Sequence, residues 1–142
     1  MKPQIHFNKD GGSVNLMVGR KHVDKNIEKI SITIPFSRSL GSSKIELSAN
    51  YGRVKYDDSS KICRWEIDTL PKDKTPQLEG KIALGYGISP PEANPVIIVD
   101  FEILMWSASG ISVDSLLLKG EDYKPYKGVK LVTKAGTFQV RT

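Results

Sequence analysis

The chain has 142 residues, 39% hydrophobic and 26% charged, with a formal net charge of +5, which is about one compact domain at roughly 100 to 200 residues each. Its glycines and prolines follow no repeat, and the apolar runs at 96–99 and 116–118 fall far short of the roughly 18 residues a membrane-crossing helix needs, so collagen-like, solenoid, bulk-disordered and helical membrane classes are excluded. The lone Cys63, with only two histidines in the chain, can build neither an intramolecular disulfide nor a zinc cluster and reads as a core residue. The start Met1-Lys2-Pro3-Gln4-Ile5-His6 has no apolar signal core and no Asn-x-Ser/Thr sequon occurs, so a cytosolic protein is expected.

Along the chain, apolar residues recur with period two, the spacing that sends successive side chains to opposite faces of a strand. After a turn at Asn8-Lys9-Asp10-Gly11-Gly12 comes Val14/Leu16/Val18, then the clearest alternation, Ile30/Ile32/Ile34/Phe36 with Lys29, Ser31 and Thr33 between. Pro35 there lacks an N–H and suggests an edge or a strand end. Ile45/Leu47/Ala49 follows, then the turn Asp57-Asp58-Ser59-Ser60, the strand Cys63/Trp65/Ile67 and the turn Pro71-Lys72-Asp73-Lys74-Thr75-Pro76. Beyond Ser89-Pro90-Pro91 lie Ile97/Val99/Phe101/Ile103, and at the end Val129/Leu131 and Phe138/Val140 with turn chemistry at Ala135-Gly136 between them. For residues 112–119 a strand with a phase slip is preferred to a short helix. Many short strands, frequent turns and no sustained 3.6-residue stripe predict an all-β, immunoglobulin-like sandwich.

Catalytic chemistry finds little footing. His6 and His22 have polar or charged neighbours and no evident nucleophile, the Asp57/Asp58 pair reads as turn chemistry, and Gly85/Gly87 runs into Ser89-Pro90-Pro91 rather than a helix N-terminus that could hold a phosphate. No catalytic residue, metal or cofactor is expected. Charge is more informative by segment. Residues 86–118 carry no Lys or Arg and sum to −4, whereas residues 119–142 sum to +4. Lysines alternating with Val129 and Leu131 are what the solvent face of a half-buried strand looks like. The alternative is a basic β-sandwich module binding anionic lipid or nucleic acid, with Tyr123, Tyr126 and Phe138 as stacking groups.

Ser109-Gly110-Ile111-Ser112-Val113, followed by Tyr123-Lys124-Pro125-Tyr126-Lys127-Gly128-Val129-Lys130 and the ending Gln139-Val140-Arg141-Thr142, resembles the carboxyl end of adaptor-complex medium chains. With Pro71-Lys72-Asp73-Lys74-Thr75-Pro76 it looks most like the adaptor complex 3 branch of that family. The resemblance implies a mu homology domain, in which a second β-sandwich is inserted into the first. It assigns residues 1–106 to the inserted sandwich and 107–142 to strands of the peptide-binding subdomain, with the earlier strands of that subdomain and the longin-like domain lying outside the chain. It also implies a part in cargo recognition by a clathrin-type adaptor complex, where the medium subunit binds tyrosine-based Tyr-x-x-Φ sorting signals in vesicle-mediated protein transport. The implied partners are those signals on membrane cargo, two large and one small adaptor subunits, and a phosphoinositide surface. The implied location is cytoplasmic, peripheral on Golgi, endosomal or vesicle membranes.

Carried over by position, Gly128, Val129 and Lys130 match the strand beside which family peptides lie, and Val113, Leu116 and Val129 match the wall of the Φ pocket. Arg53 and Lys55 are the nearest match to the phosphoinositide-binding cations of some relatives. Gly128 stands where many relatives have tryptophan and Lys130 where many have arginine, which removes a ring to stack on and a planar guanidinium and so marks a variant tyrosine pocket. On the residues alone, Val113, Leu116 and Val129 read as core, as apolar residues in strands usually do, and only the family resemblance puts the groove slightly ahead.

Overall fold

A computed structural model describes residues 1–20, 26–107, 110–115, 119–120, 128–136 and 138–141. Two antiparallel sheets pack face to face as a β-sandwich. The first runs in the order β1 (Lys2–Asn8), β2 (Gly11–Met17), β7 (Gln77–Ala83), β4 (Lys44–Ala49). In the second, β3 (Ile27–Pro35) is central, with β6 (Ile62–Thr69) and then β5 (Arg53–Asp57) on one side and β8 (Ile97–Leu104) on the other. The outer edge of β8 takes both β9 (Val132–Lys134) and β10 (Phe138–Val140).

Alternation decides the layers. Ile5, Val14, Leu16, Leu78 and Ile82 of the first sheet meet Ile30, Ile32, Ile34, Cys63, Trp65, Ile67 and Ile97 of the second in one buried cluster. Each large aliphatic side chain so buried contributes roughly 1.5 to 3 kcal/mol before the entropy of ordering is set against it. Pro35 is the last residue of β3, paired with Ile62, so the missing N–H marks a strand end in the middle of a sheet. Cys63 is fully buried, and burial pushes its thiol up to about 11, consistent with a packing role.

Turn chemistry is explicit at the hairpins. Asn8 Oδ1 accepts from the amides of Asp10 (2.9 Å) and Gly11 (2.8 Å) between β1 and β2. Between β5 and β6, Asp57 accepts from the Ser60 hydroxyl (2.7 Å) and from the hydroxyl and amide of Ser59 (2.7 and 3.0 Å). Those bonds, Ser60 first, lower the Asp57 pKa to about 2. Asp58 instead pairs with Lys61 at 2.6 Å, so the two adjacent carboxylates serve the turn.

Three strands escape the alternation reading. β1 shows only Ile5 and Phe7, after Pro3, and β5 is a short charged edge strand. In β7 the apolar alternation breaks at Gly80, where the Leu47 side chain occupies the space: a Cβ on Gly80 would lie 2.3 Å from Leu47 Cδ2 and 2.5 Å from the Glu46 carbonyl oxygen.

Two expectations are corrected. Residues 112–115 form neither strand nor helix and are exposed; 116–118 lie outside the described residues. Ala135-Gly136 does not reverse the chain. β9 pairs Lys134 with Glu102 and β10 pairs Phe138 with Val99, so the same direction continues along β8 with the register advanced by one residue. The free edge of β8 offers partners for a straight run, and the small Ala-Gly pair accommodates the extra residue as a bulge.

Candidate functional site

The carried-over residues fall where the chain enters β9. Gly128, Val129 and Lys130 precede that strand without belonging to it, and all three are exposed. Their position is set from the far side: the Met105 amide donates to the Leu131 carbonyl at 2.7 Å, and the Thr133 hydroxyl donates to the Trp106 carbonyl at 2.6 Å. Val129 is 42% exposed and Val113 47%, so neither valine is sealed beneath other strands. Leu116 lies outside the described residues. The apolar side chains Met105, Trp106, Ile111 and Val132 are exposed on the same stretch of chain. For a residue expected to line half of a groove, an open apolar side chain is the required state. For a core residue it is not.

Arg53 and Lys55 share the outer face of β5 with different surroundings. Arg53 lies across from Glu66, and its guanidinium reaches Asp68 at 3.1 Å and Glu66 at 3.9 Å. Lys55 lies directly across from Arg64. Like charges in direct cross-strand register repel, so Lys55 and Arg64, rather than Arg53, form the cationic spot on this sheet. Arg64 was legible only through the β5–β6 hairpin register, which puts the second residue of each alternation opposite its partner.

Among the concavities elsewhere, two are relevant. One, of about 640 Å³, spreads over the outer face of the first sheet between Gln4, His6, Asn15, Glu79 and Lys81. His6 stands in register with Ser13; His22 lies outside the described residues. The second, of about 170 Å³, is apolar and opens beside β10. Among the described residues no group of three or more His, Cys, Asp or Glu side chains converges as metal ligands. No helix there is long and apolar enough to cross a membrane. The loop after β7 makes a tight turn, the Ile88 amide donating to the Gly85 carbonyl at 3.0 Å, and no helix follows it to cradle a phosphate.

Fold and site together define a β-sandwich scaffold with an open apolar margin, a surface suited to binding. The chain belongs to the adaptor complexes medium subunit family, whose family model matches residues 1–142. It is 44% identical over 149 residues to the AP-3 complex subunit mu of Dictyostelium discoideum, covering 100% of this chain and 35% of that protein. To the AP-3 complex subunit mu-1 of Homo sapiens and of Bos taurus it is 36% identical over 145 residues, covering 100% of the chain and 34% of each relative. The chain thus spans about a third of the length of the relatives it matches. The basic-module alternative finds no support in these matches.

Proposed function

We propose that this chain contributes to the cargo-recognition part of an adaptor complex medium subunit, forming one wall of a groove for Tyr-x-x-Φ peptides. Residues 1–106 form the inserted sandwich in this reading, and 107–142 supply strands of the peptide-binding subdomain. The observation that carries it is the exposure of Val113 and Val129, two aliphatic side chains left open on the stretch whose sequence resembles the family's peptide-binding end. An extended ligand adds backbone hydrogen bonds to a strand, and pockets on alternate side chains select its residues. Gly128 leaves the tyrosine without a ring to stack on, and Lys130 offers a point charge where a guanidinium would spread over it, so the Φ residue carries more of the selectivity here. Two large and one small adaptor subunits complete the assembly, on the cytoplasmic side of Golgi, endosomal or vesicle membranes. A phosphoinositide contact through Lys55, with Arg53 beside it, is a secondary part of the reading, weakened by the two carboxylates on Arg53.

The test is isothermal titration with a chimera in which this chain replaces the matching third of the Dictyostelium relative. A Tyr-x-x-Φ peptide binds, and its Tyr-to-Ala counterpart binds measurably less. Equal affinities remove the cargo claim. The chain alone binds both peptides poorly, because the rest of the groove belongs to the remainder of the subunit.

A further inference from the structure

A hydroxyl side chain is followed directly by proline at two places in the chain, Thr75-Pro76 and Ser89-Pro90. The fold treats them in opposite ways. Pro76 is fully buried, its carbonyl accepts from the Val18 amide at 2.9 Å, and the Thr75 carbonyl accepts from the Asn50 side-chain amide at 3.3 Å. That pair is built into the sandwich at the start of β7. Ser89 is exposed and Pro90 and Pro91 are half-buried. Among the described residues, neither the Ser89 hydroxyl nor the backbone of 89–93 has a hydrogen-bond partner. The connection 84–96 between β7 and β8 forms neither helix nor strand, yet it is held at both ends. The Gly85 amide donates to the buried Ser43 hydroxyl at 3.1 Å, the Ile88 side chain lies over Gly41 and Gly85, and the Asn94 side-chain amide donates to the Ile5 carbonyl at 2.9 Å. Loops of about this length without structure of their own are commonly functional. Between the anchors, Pro90 and Pro91 each bias the preceding residue toward extended backbone, so Ser89 stands on an open, extended arc.

We propose that Ser89 is a phosphorylation site, modified by a proline-directed serine/threonine kinase with ATP as phosphoryl donor. The Ser89 hydroxyl oxygen forms the new bond to the γ-phosphorus, the bond from that phosphorus to the ADP oxygen breaks, and the hydroxyl proton passes to the kinase's base. A stretch whose backbone is unpaired enters an enzyme cleft without local unfolding of the substrate. Proline at the next position is selected by what it lacks: a cleft with no acceptor there leaves any other residue's N–H buried and unpaired. Kinases that select cations near the acceptor find none, since residues 86–118 contain no Lys or Arg. The phosphate carries about −1.5 to −2 charge and deepens the contrast between this acidic stretch and the basic residues 119–142. The site lies apart from Val113 and Gly128–Lys130, and it stands whether or not the chain takes up tyrosine signals.

The test incubates the full 142-residue chain with a purified proline-directed kinase, magnesium and ATP, and reads intact mass and fragment spectra. One phosphate is taken up, on Ser89. Ser89→Ala takes up none, Pro90→Ala is modified at least about tenfold more slowly, and Thr75→Ala is modified like the parent. The chimera with the Dictyostelium relative is modified at the same serine, since the loop stays open in a longer subunit. The proposal is overturned if the folded chain takes up no phosphate, if the phosphate sits on Thr75, or if Ser89 is spared in the chimera. Equal rates for Pro90→Ala and the parent overturn it as well. So does a rate that falls with Glu92→Gln and not with Pro90→Ala, because recognition then reads the acidic residue and not the proline.

Discussion

Trp65 is fully buried, and its indole N–H donates to the Tyr51 carbonyl at 2.8 Å. That bond places the corner between β4 and β5 against the core, and Gly52 makes the corner possible. Its φ is +86°, and a Cβ there would lie 2.4 Å from the Glu66 carbonyl oxygen and 3.0 Å from the indole nitrogen. Gly52→Ala therefore meets both backbone strain and collision, and its expected cost is at least about 1 to 3 kcal/mol in urea unfolding. A variant as stable as the parent would show that the corner can move. The Asp57 turn makes a second prediction at this scale. Its carboxyl is lowered from 3.8 to about 2 by the Ser60 and Ser59 bonds. A depressed folded-state pKa gives stabilisation that is complete above the unfolded value and lost as pH falls through the folded one. The difference in melting temperature between the parent and Asp57→Asn is thus full at neutral pH and shrinks as pH drops from about 4 to about 2. A difference that widens on acidification contradicts the assignment.

Among the elements, β3 and β6 were legible in the sequence because both faces obey one rule: Ile30, Ile32 and Ile34 or Cys63, Trp65 and Ile67 point in, with polar residues between. β7 was not, since the residue that should continue Leu78 and Ile82 is Gly80, whose place is filled from β4 by Leu47, a tertiary fact that no local pattern contains. The final strands mislead in another way. Ala135-Gly136 has turn chemistry, but whether the chain turns or bulges depends on the free edge of β8. Candidate site residues were harder still: alternation marks Val113 and Val129 as apolar without saying whether they face a core or a groove, and only their exposure separates the two. Glu102 ties these strands together, 2.9 Å from Lys29 of β3 and 3.5 Å from Lys134 of β9. Lys29 first and Lys134 second hold its carboxyl below the usual range. Glu102→Gln removes the charge from both pairs, and the expected result is faster amide hydrogen exchange over residues 132–134 with protection of Ile32 and Trp65 unchanged. Uniform acceleration across the sheet would mean that Glu102 supports the whole sandwich and not its margin.

At the scale of the molecule, the exposed apolar side chains are unevenly placed. Met105, Trp106, Ile111, Val113, Val129, Val132 and Phe138 all follow β8, in a chain that spans about a third of the length of its relatives. The rest of the sandwich guards its edges with charge: Lys44 and Glu46 pair at 2.5 Å on β4, and Arg53 bridges to Asp68 beside β5, which discourages edge-to-edge pairing. No such charge stands in residues 105–113, so the margin is an apolar surface without a partner among the described residues, and water is a poor partner for it. The isolated chain is therefore expected to self-associate through that margin. Its weight-average mass in static light scattering rises with concentration, and added sodium chloride does not reverse the rise, since screening acts on charges and leaves apolar contact intact. Replacing Ile111 and Val129 together by serine lowers the association without lowering the thermal midpoint, because neither side chain contributes to the buried cluster. In the chimera that restores the remaining two thirds of a medium subunit, the same margin meets its complement and the concentration dependence disappears. A chain that stays monomeric at high concentration, or one whose association dissolves in salt, would place the attraction in its charges and leave the exposed valines without a partner to explain.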